Sequence, residues 1–168
     1  MDLHYEVNGN GYPVVLLHSG GADSREWTFV APLLAKNFQV ITLDGRGAGK
    51  SPPPIQPANY VKDLLNLLDH LQIDRATLIG HSMGGQVATD FTLEYPERVS
   101  KLVLVAPELS GFERSVEFTN WMKKVNAAFP DLDKVLELSL SAPLYRITMN
   151  SPYRDLLVEM MRHHLRKI

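Results

Sequence analysis

Within this 168-residue chain, the segment Gly80-His81-Ser82-Met83-Gly84-Gly85 has the residue types and spacing that most directly suggest chemistry. It follows the apolar run Thr77-Leu78-Ile79 and precedes a helical pattern through Val87, Ala88, Phe91 and Tyr95, which places it at a strand-to-helix turn. Glycines at 80 and 84 allow a tight turn and close packing of the strand against the helix. Such a turn lifts the Ser82 hydroxyl clear of a sheet. It also leaves the Met83 amide at a helix N-terminus, where an unpaired N–H and the positive dipole end can hold an oxyanion. The matching chemistry is covalent acyl transfer, in which the hydroxyl attacks a carbonyl and backbone amides hold the resulting charge. The plainer alternative is a glycine-rich turn with an incidental serine, and the strand and helix flanks argue against it.

Two further loops follow apolar runs. His18-Ser19-Gly20-Gly21 ends the run Val14-Val15-Leu16-Leu17 and can offer a second backbone N–H to the same oxyanion, from Gly20. Alone it reads as an ordinary strand-end turn; two such loops in one chain favour function. Asp44-Gly45-Arg46-Gly47-Ala48-Gly49-Lys50-Ser51 bears a faint likeness to a phosphate-binding loop. The pattern G-x-x-x-x-G-K-[ST] would need glycine at position 44, where Asp44 stands, so nucleotide binding fails on spacing. A structural loop is expected instead, pinned by hydrogen bonds from Asp44 and Arg46.

The elements that must position these loops alternate. Apolar runs at 14–17, 38–43, 77–79 and 102–105 are short and rich in β-branched residues, as strands covered on both faces are. Between them, Trp27 to Asn37 can form one helix, and Val61, Leu64, Leu65, Leu68 and Leu71 share one helical face. Pro96 ends the helix after Ser82 at or just before Tyr95. Leu3 to Val7 is short and mixed. This alternation implies an α/β fold with a mostly parallel sheet of about five strands and helices on both faces. After Pro107 only helical patterns remain: 118–129, 135–140, and a stripe of Leu157, Met160, Met161, His164 and Ile168. The expected organisation is a β/α core over residues 1–107 and a helical appendage over 108–168.

Composition narrows the function classes. With 45% hydrophobic and 21% charged residues the chain can build a real core without staples. A net charge of −2 gives no footprint for nucleic acid and no polybasic membrane patch. Cysteine is absent, which excludes disulfides, thiolate metal sites and a cysteine nucleophile. No apolar run approaches the ~18 residues of a membrane span and no signal-peptide pattern opens the chain, so a cytoplasmic protein is the default expectation.

The series His18-Ser19-Gly20-Gly21, Asp44 to Ser51, Gly80 to Gly85 and Tyr95-Pro96-Glu97-Arg98-Val99 resembles the capped α/β-hydrolase family. The match runs in order from about Leu3 to Ala106, and the helices beyond look like the family's cap. Members include carboxylesterases, C–C bond hydrolases, epoxide hydrolases, haloalkane dehalogenases and cofactor-free haloperoxidases. The resemblance implies a serine hydrolase acting on a small, largely apolar ester through Ser82, with an oxyanion hole from Met83 and Gly20. Serine at 82 favours ester, amide or C–C hydrolysis over the dehalogenases and epoxide hydrolases, which use aspartate there. No metal or cofactor is implied. Ser19 departs from the His-Gly that usually opens the first oxyanion loop.

In this family the acid and histidine follow the serine in chain order, normally beyond the cap. The residues after Ser82 end in a helical pattern at Ile168, so a truncated core is expected. Within the chain, Glu108 could serve as acid, since in some relatives the acid follows the sixth strand; a surface carboxylate at a strand end is the plainer reading. His163 and His164 are the only downstream histidines and so the candidate bases, although a histidine on an apolar stripe is more often structural. His81 is expected to brace the turn beside Ser82. A truncated core would leave 102–105 as an apolar sheet edge, which invites a homo-oligomer. Two alternatives therefore accompany the esterase reading: a non-catalytic fragment or pseudoenzyme that self-associates, and a cofactor-free haloperoxidase.

Overall fold

The four apolar runs all lie in strands of one five-stranded sheet, seen in a computed structural model that describes residues 1–54 and 56–167. In chain order the strands are β1 (Tyr5–Asn8), β2 (Tyr12–Leu17), β3 (Phe38–Leu43), β4 (Ala76–His81) and β5 (Val99–Val105). Their spatial order is β1-β3-β2-β4-β5. β3, β2, β4 and β5 run parallel, and β1 pairs antiparallel with β3 from Tyr5 against Leu43 to Asn8 against Val40. The mixed segment near Leu3 to Val7 is thus an edge strand, largely exposed, which is why it lacks the apolar continuity of the others.

Alternation along β2 shows how both faces are filled. Val15 and Leu17 pack with Leu64, Leu67, Leu68, Ala88 and Phe91, from helices α2 (Tyr60–His70) and α3 (Met83–Glu94). Val14 and Leu16 pack on the opposite face with Val40 and Trp27. On that second face the packing comes from a 3-10 turn, Ser24–Trp27, and the one-turn helix α1 (Ala31–Leu34). One continuous helix from Trp27 to Asn37 does not form. Pro32 sits in the first turn of α1, and without an N–H it could not donate back to Thr28 in a longer helix. α2 opens on the Asn59 side chain, which accepts from the Lys62 amide at 2.8 Å. α3 ends at Glu94, immediately before Tyr95 and Pro96.

After β5 come α4 (Val116–Ala127), α5 (Leu132–Leu140), the short α6 (Arg146–Met149) and α7 (Arg154–Leu165). Ser115 and Asp131 cap α4 and α5, their side chains accepting from Phe118 and Lys134 amides. Val125, Val135, Leu136, Met161 and Leu165 form a core of their own there. Ile168, expected on the α7 stripe, lies outside the described residues. No helix among the described residues is long and apolar enough to cross a membrane.

Candidate active site

β4 delivers its last residue, His81, to the C-terminal end of the parallel strands, and α3 begins at Met83, so Ser82 occupies the single residue between strand and helix. Its backbone lies at φ 50° and ψ −117°, a region L-residues rarely occupy and which costs about 1–3 kcal/mol. Surrounding hydrogen bonds hold it there. The Ser82 N–H donates to the Val105 carbonyl at 3.1 Å, and the Ser82 carbonyl accepts from the amides of Gly85, Gln86 and Glu108 at 2.9, 3.1 and 3.0 Å. The hydroxyl makes no capping bond to the helix and remains half-buried. A Cβ on Gly84 would collide with the carbonyls of Leu17 and His18, and one on Gly80 with the Gly84 carbonyl. These glycines let the start of α3 press against the end of β2.

That approach brings two loops together. A Cβ placed on Gly20 would lie 3.8 Å from the Met83 Cβ. Among the described residues neither the Gly20 nor the Met83 amide has an acceptor, whereas the Ser19 amide donates to Glu26 Oε2 at 2.8 Å. Ser82, Met83 and Gly20 are therefore gathered at one place, with two amides unspent.

Sequence reasoning missed Glu26. Its Oε1 accepts from the Ser19 hydroxyl at 2.7 Å and from His81 Nδ1 at 2.8 Å, with the side chain only 19% exposed. Burial pushes the Glu26 carboxyl up, but donation from His81 and Ser19 outweighs it and holds the group below its ordinary value. The same bond to Glu26 raises His81 above its ordinary value, against burial. His81 does brace the turn, through a partner 55 positions earlier. His18 has both ring nitrogens committed: Nδ1 donates to the Ser19 carbonyl at 2.8 Å and Nε2 accepts from the Gly45 amide at 2.9 Å. That pattern is a neutral imidazole protonated on Nδ1.

The 44–51 loop is held as expected. Asp44 accepts from the Ser24 and Lys50 amides, each at 2.8 Å. Burial pushes its carboxyl up, yet the Lys50 and Ser24 donors hold it below the usual range. Arg46 pairs with Asp63 at 2.9 Å and with Asp2 at 2.8 Å. The same loop receives the two candidate bases. His163 Nε2 donates to the Gly49 carbonyl at 2.8 Å, His164 Nδ1 to the Gly47 carbonyl at 2.9 Å, and Lys167 Nζ reaches the carbonyls of Gly49 and Ser51. Burial depresses the His164 ring below its ordinary value. Neither histidine hydrogen-bonds Ser82. The Glu108 backbone does meet Ser82, but its carboxylate pairs with Arg114 at 3.0 Å, on the wall of an open cavity of about 650 Å³ that includes Phe112 and Phe118. The structure thus joins Ser82, Met83 and Gly20, and leaves His163, His164 and Glu108 engaged elsewhere. No cluster of metal-ligating side chains occurs among the described residues.

Comparison with known proteins matches a family model of the alpha/beta hydrolase fold to residues 12–138. The chain is 36% identical over 113 residues to a 2-hydroxy-6-oxo-6-phenylhexa-2,4-dienoate hydrolase of Comamonas testosteroni, covering 62% of this chain and 40% of that protein. It is 38% identical over 106 residues to a soluble epoxide hydrolase of Corynebacterium sp. (strain C12), covering 61% and 37%. Among solved structures, a hydrolase from Pseudomonas aeruginosa PA01 superposes with a TM-score of 0.79 at 27% identity, covering 97% of this chain and 65% of that one. The enol-lactonase from Burkholderia xenovorans LB400 gives 0.76 at 26%, covering 97% and 66%. The chain thus spans 40% or less of these two curated relatives, and just under two thirds of these solved structures.

Proposed function

Because the chain belongs to the α/β-hydrolase family, we propose that its site serves acyl transfer to water, with Ser82 as the nucleophile and a small, largely apolar carboxylic ester as substrate. The observation that carries this reading is the strained Ser82 backbone with its uncapped hydroxyl beside the unspent amides of Met83 and Gly20. Ser82 Oγ attacks the ester carbonyl and its proton passes to an imidazole. The amides of Met83 and Gly20 hold the oxyanion, and the alcohol leaves with that proton. Water then attacks the acyl-enzyme by the same route in reverse. The candidate bases within the chain are His163 and His164. Each donates one ring N–H to a carbonyl of the 47–51 loop and keeps its other ring nitrogen to accept the proton. To serve, that nitrogen has to be brought to Ser82, which neither histidine hydrogen-bonds in this structure, and Glu108, paired with Arg114, has to be brought to the ring.

Hydrolysis of p-nitrophenyl butyrate tests the reading, with Ser82→Ala and His164→Ala alongside. Turnover lost in Ser82→Ala supports it, and the histidine variant identifies the base. Turnover that survives Ser82→Ala would sink it.

A second reading, a self-associating form, is favoured by one observation. β5 is the edge strand opposite β1, and Val103, Leu104 and Val105 along it are exposed. Two copies pairing antiparallel about Leu102 would set Lys101 against Val103, so the lysines would not oppose each other and a continuous sheet would bury the apolar stretch.

A further inference from the structure

We infer that Glu26 is a positioning residue of the Ser82 site: its carboxylate bridges the loop after β2 to the turn after β4 and so sets the spacing between the Gly20 and Met83 amides. This inference rests on the reading of Ser82 as the nucleophile. Each donor that Glu26 receives lies one residue from a site residue. Ser19, which gives both its amide and its hydroxyl, precedes Gly20. His81, which gives Nδ1–H, precedes Ser82.

The carboxylate's cost argues that it does more than fill space. A largely buried carboxylate is expensive to desolvate, and an apolar residue of similar size would cover the same ground without that penalty. Glu26 offsets it with three donors drawn from two different loops. No other hydrogen bond links the Ser19–Gly20 segment to the His81–Met83 segment among the described residues. The β2–β4 ladder fixes their roots as far as Leu17 against Gly80, and beyond it Glu26 adds to the close approaches of Gly84 to the Leu17 and His18 carbonyls and of Gly20 to Met83. An oxyanion hole built from one amide on each loop is sensitive to that separation, because a displacement of about 1 Å can cost roughly a hundredfold in rate.

Bridging also selects which amide is left over. Glu26 Oε2 occupies the Ser19 N–H, so the next amide along, Gly20, is the one without an acceptor. The titratable groups facing Glu26 are His81 from β4 and Tyr145 from the 143–145 turn. Burial, and then the Glu26 charge, push the Tyr145 phenol up.

The test compares the full chain with Glu26→Gln, Glu26→Asp and Ser19→Ala. Glu26→Gln keeps the shape but leaves only one carbonyl oxygen for three donors. Glu26→Asp keeps the charge on a stem too short to reach both loops. Both should lower kcat roughly ten- to hundredfold with KM within about twofold, while Ser19→Ala moves the same way by less. In amide NMR spectra the Gly20 and Met83 signals should shift together in all three variants, and thermal melts report whether each one folds. Full rescue by Glu26→Asp, an unchanged kcat, or a loss confined to KM would overturn the inference. If the parent chain shows no turnover, the Ser82 reading has failed. The amide signals then decide separately: joint movement of Gly20 and Met83 supports the bridge, and shifts confined to Ser19 and His81 overturn it.

Discussion

The Ser82 amide donates to the carbonyl of Val105, the last residue of the edge strand, at 3.1 Å. The strained residue of the site is therefore held by a strand at the edge of the sheet whose last three residues, Val103 to Val105, are exposed. Three acceptor bonds at the Ser82 carbonyl complete the restraint.

Strain of this kind should be separable from chemistry. Ser82→Ala keeps a Cβ at φ 50°, whereas Ser82→Gly removes the steric conflict and gives back part of the gain as unfolded-chain entropy. The glycine variant is expected to be about 1 kcal/mol more stable than the alanine variant in urea denaturation, with both inactive. Equal stability would show that the turn stores no strain.

Glu26 and His81 should leave a signature in stability against pH. The folded His81 value lies above 6.5, so its contribution is complete below that pH and is lost as pH rises through the folded value. The folded Glu26 value lies below 4.5, so its contribution is complete above that pH and is lost as pH falls through the folded value. Melting temperatures of the parent chain minus those of Glu26→Gln should therefore peak between about pH 4.5 and 6.5 and shrink on either side. Depressed His164 works in the opposite sense, its stability falling away as pH drops below 6.5. Because it is present in both proteins, it cancels in the subtraction.

Trp27 carries a buried indole N–H with no partner among the described residues. Trp27→Phe removes that unpaired donor, worth about 1–3 kcal/mol, while giving up part of the ring that covers Val14, Leu16 and Val40. The two effects nearly offset, so the variant should melt within about 3 °C of the parent. Trp27→Ala, which forfeits the packing as well, should lose about 3–5 kcal/mol.

The exposed β5 edge makes a claim about assembly. Sedimentation velocity should find dimers of the 168-residue chain, and Val103→Lys, which puts a charge in the centre of the apolar stretch, should shift them toward monomer. A parent chain that stays monomeric at tens of micromolar would exclude pairing of two copies through this strand.

Local sequence made the Ser82 turn readable because its glycines, strand and helix follow one another without interruption from Ala76 to Glu94. The helices through Leu64 and Phe91 followed their apolar spacing for the same reason, and Pro32 explains where one longer helix broke. Glu26 was out of reach. It meets Ser19 at a separation of 7 and His81 at 55, and no periodicity connects three such positions. His164 illustrates a half-legible residue. Its place on the α7 stripe suggested a structural histidine, and the ring is half-buried, but its partner, the Gly47 carbonyl, lies 117 residues away and a carbonyl has no sequence signature. β1 was obscure because an exposed edge strand needs no apolar run.

The grip of His163, His164 and Lys167 on the 47–51 loop also fixes an order of events in synthesis. Those contacts span 114 to 118 residues, among the longest closures in the chain, so they form late. All five strands have been made once Val105 is joined, and roughly 60 more residues must be added before the α7 side chains exist. At ~5–20 residues per second that is an interval of roughly 3–12 s. For that time the five described strands exist without the α7 side chains, so the 47–51 loop is open and the β5 edge is bare.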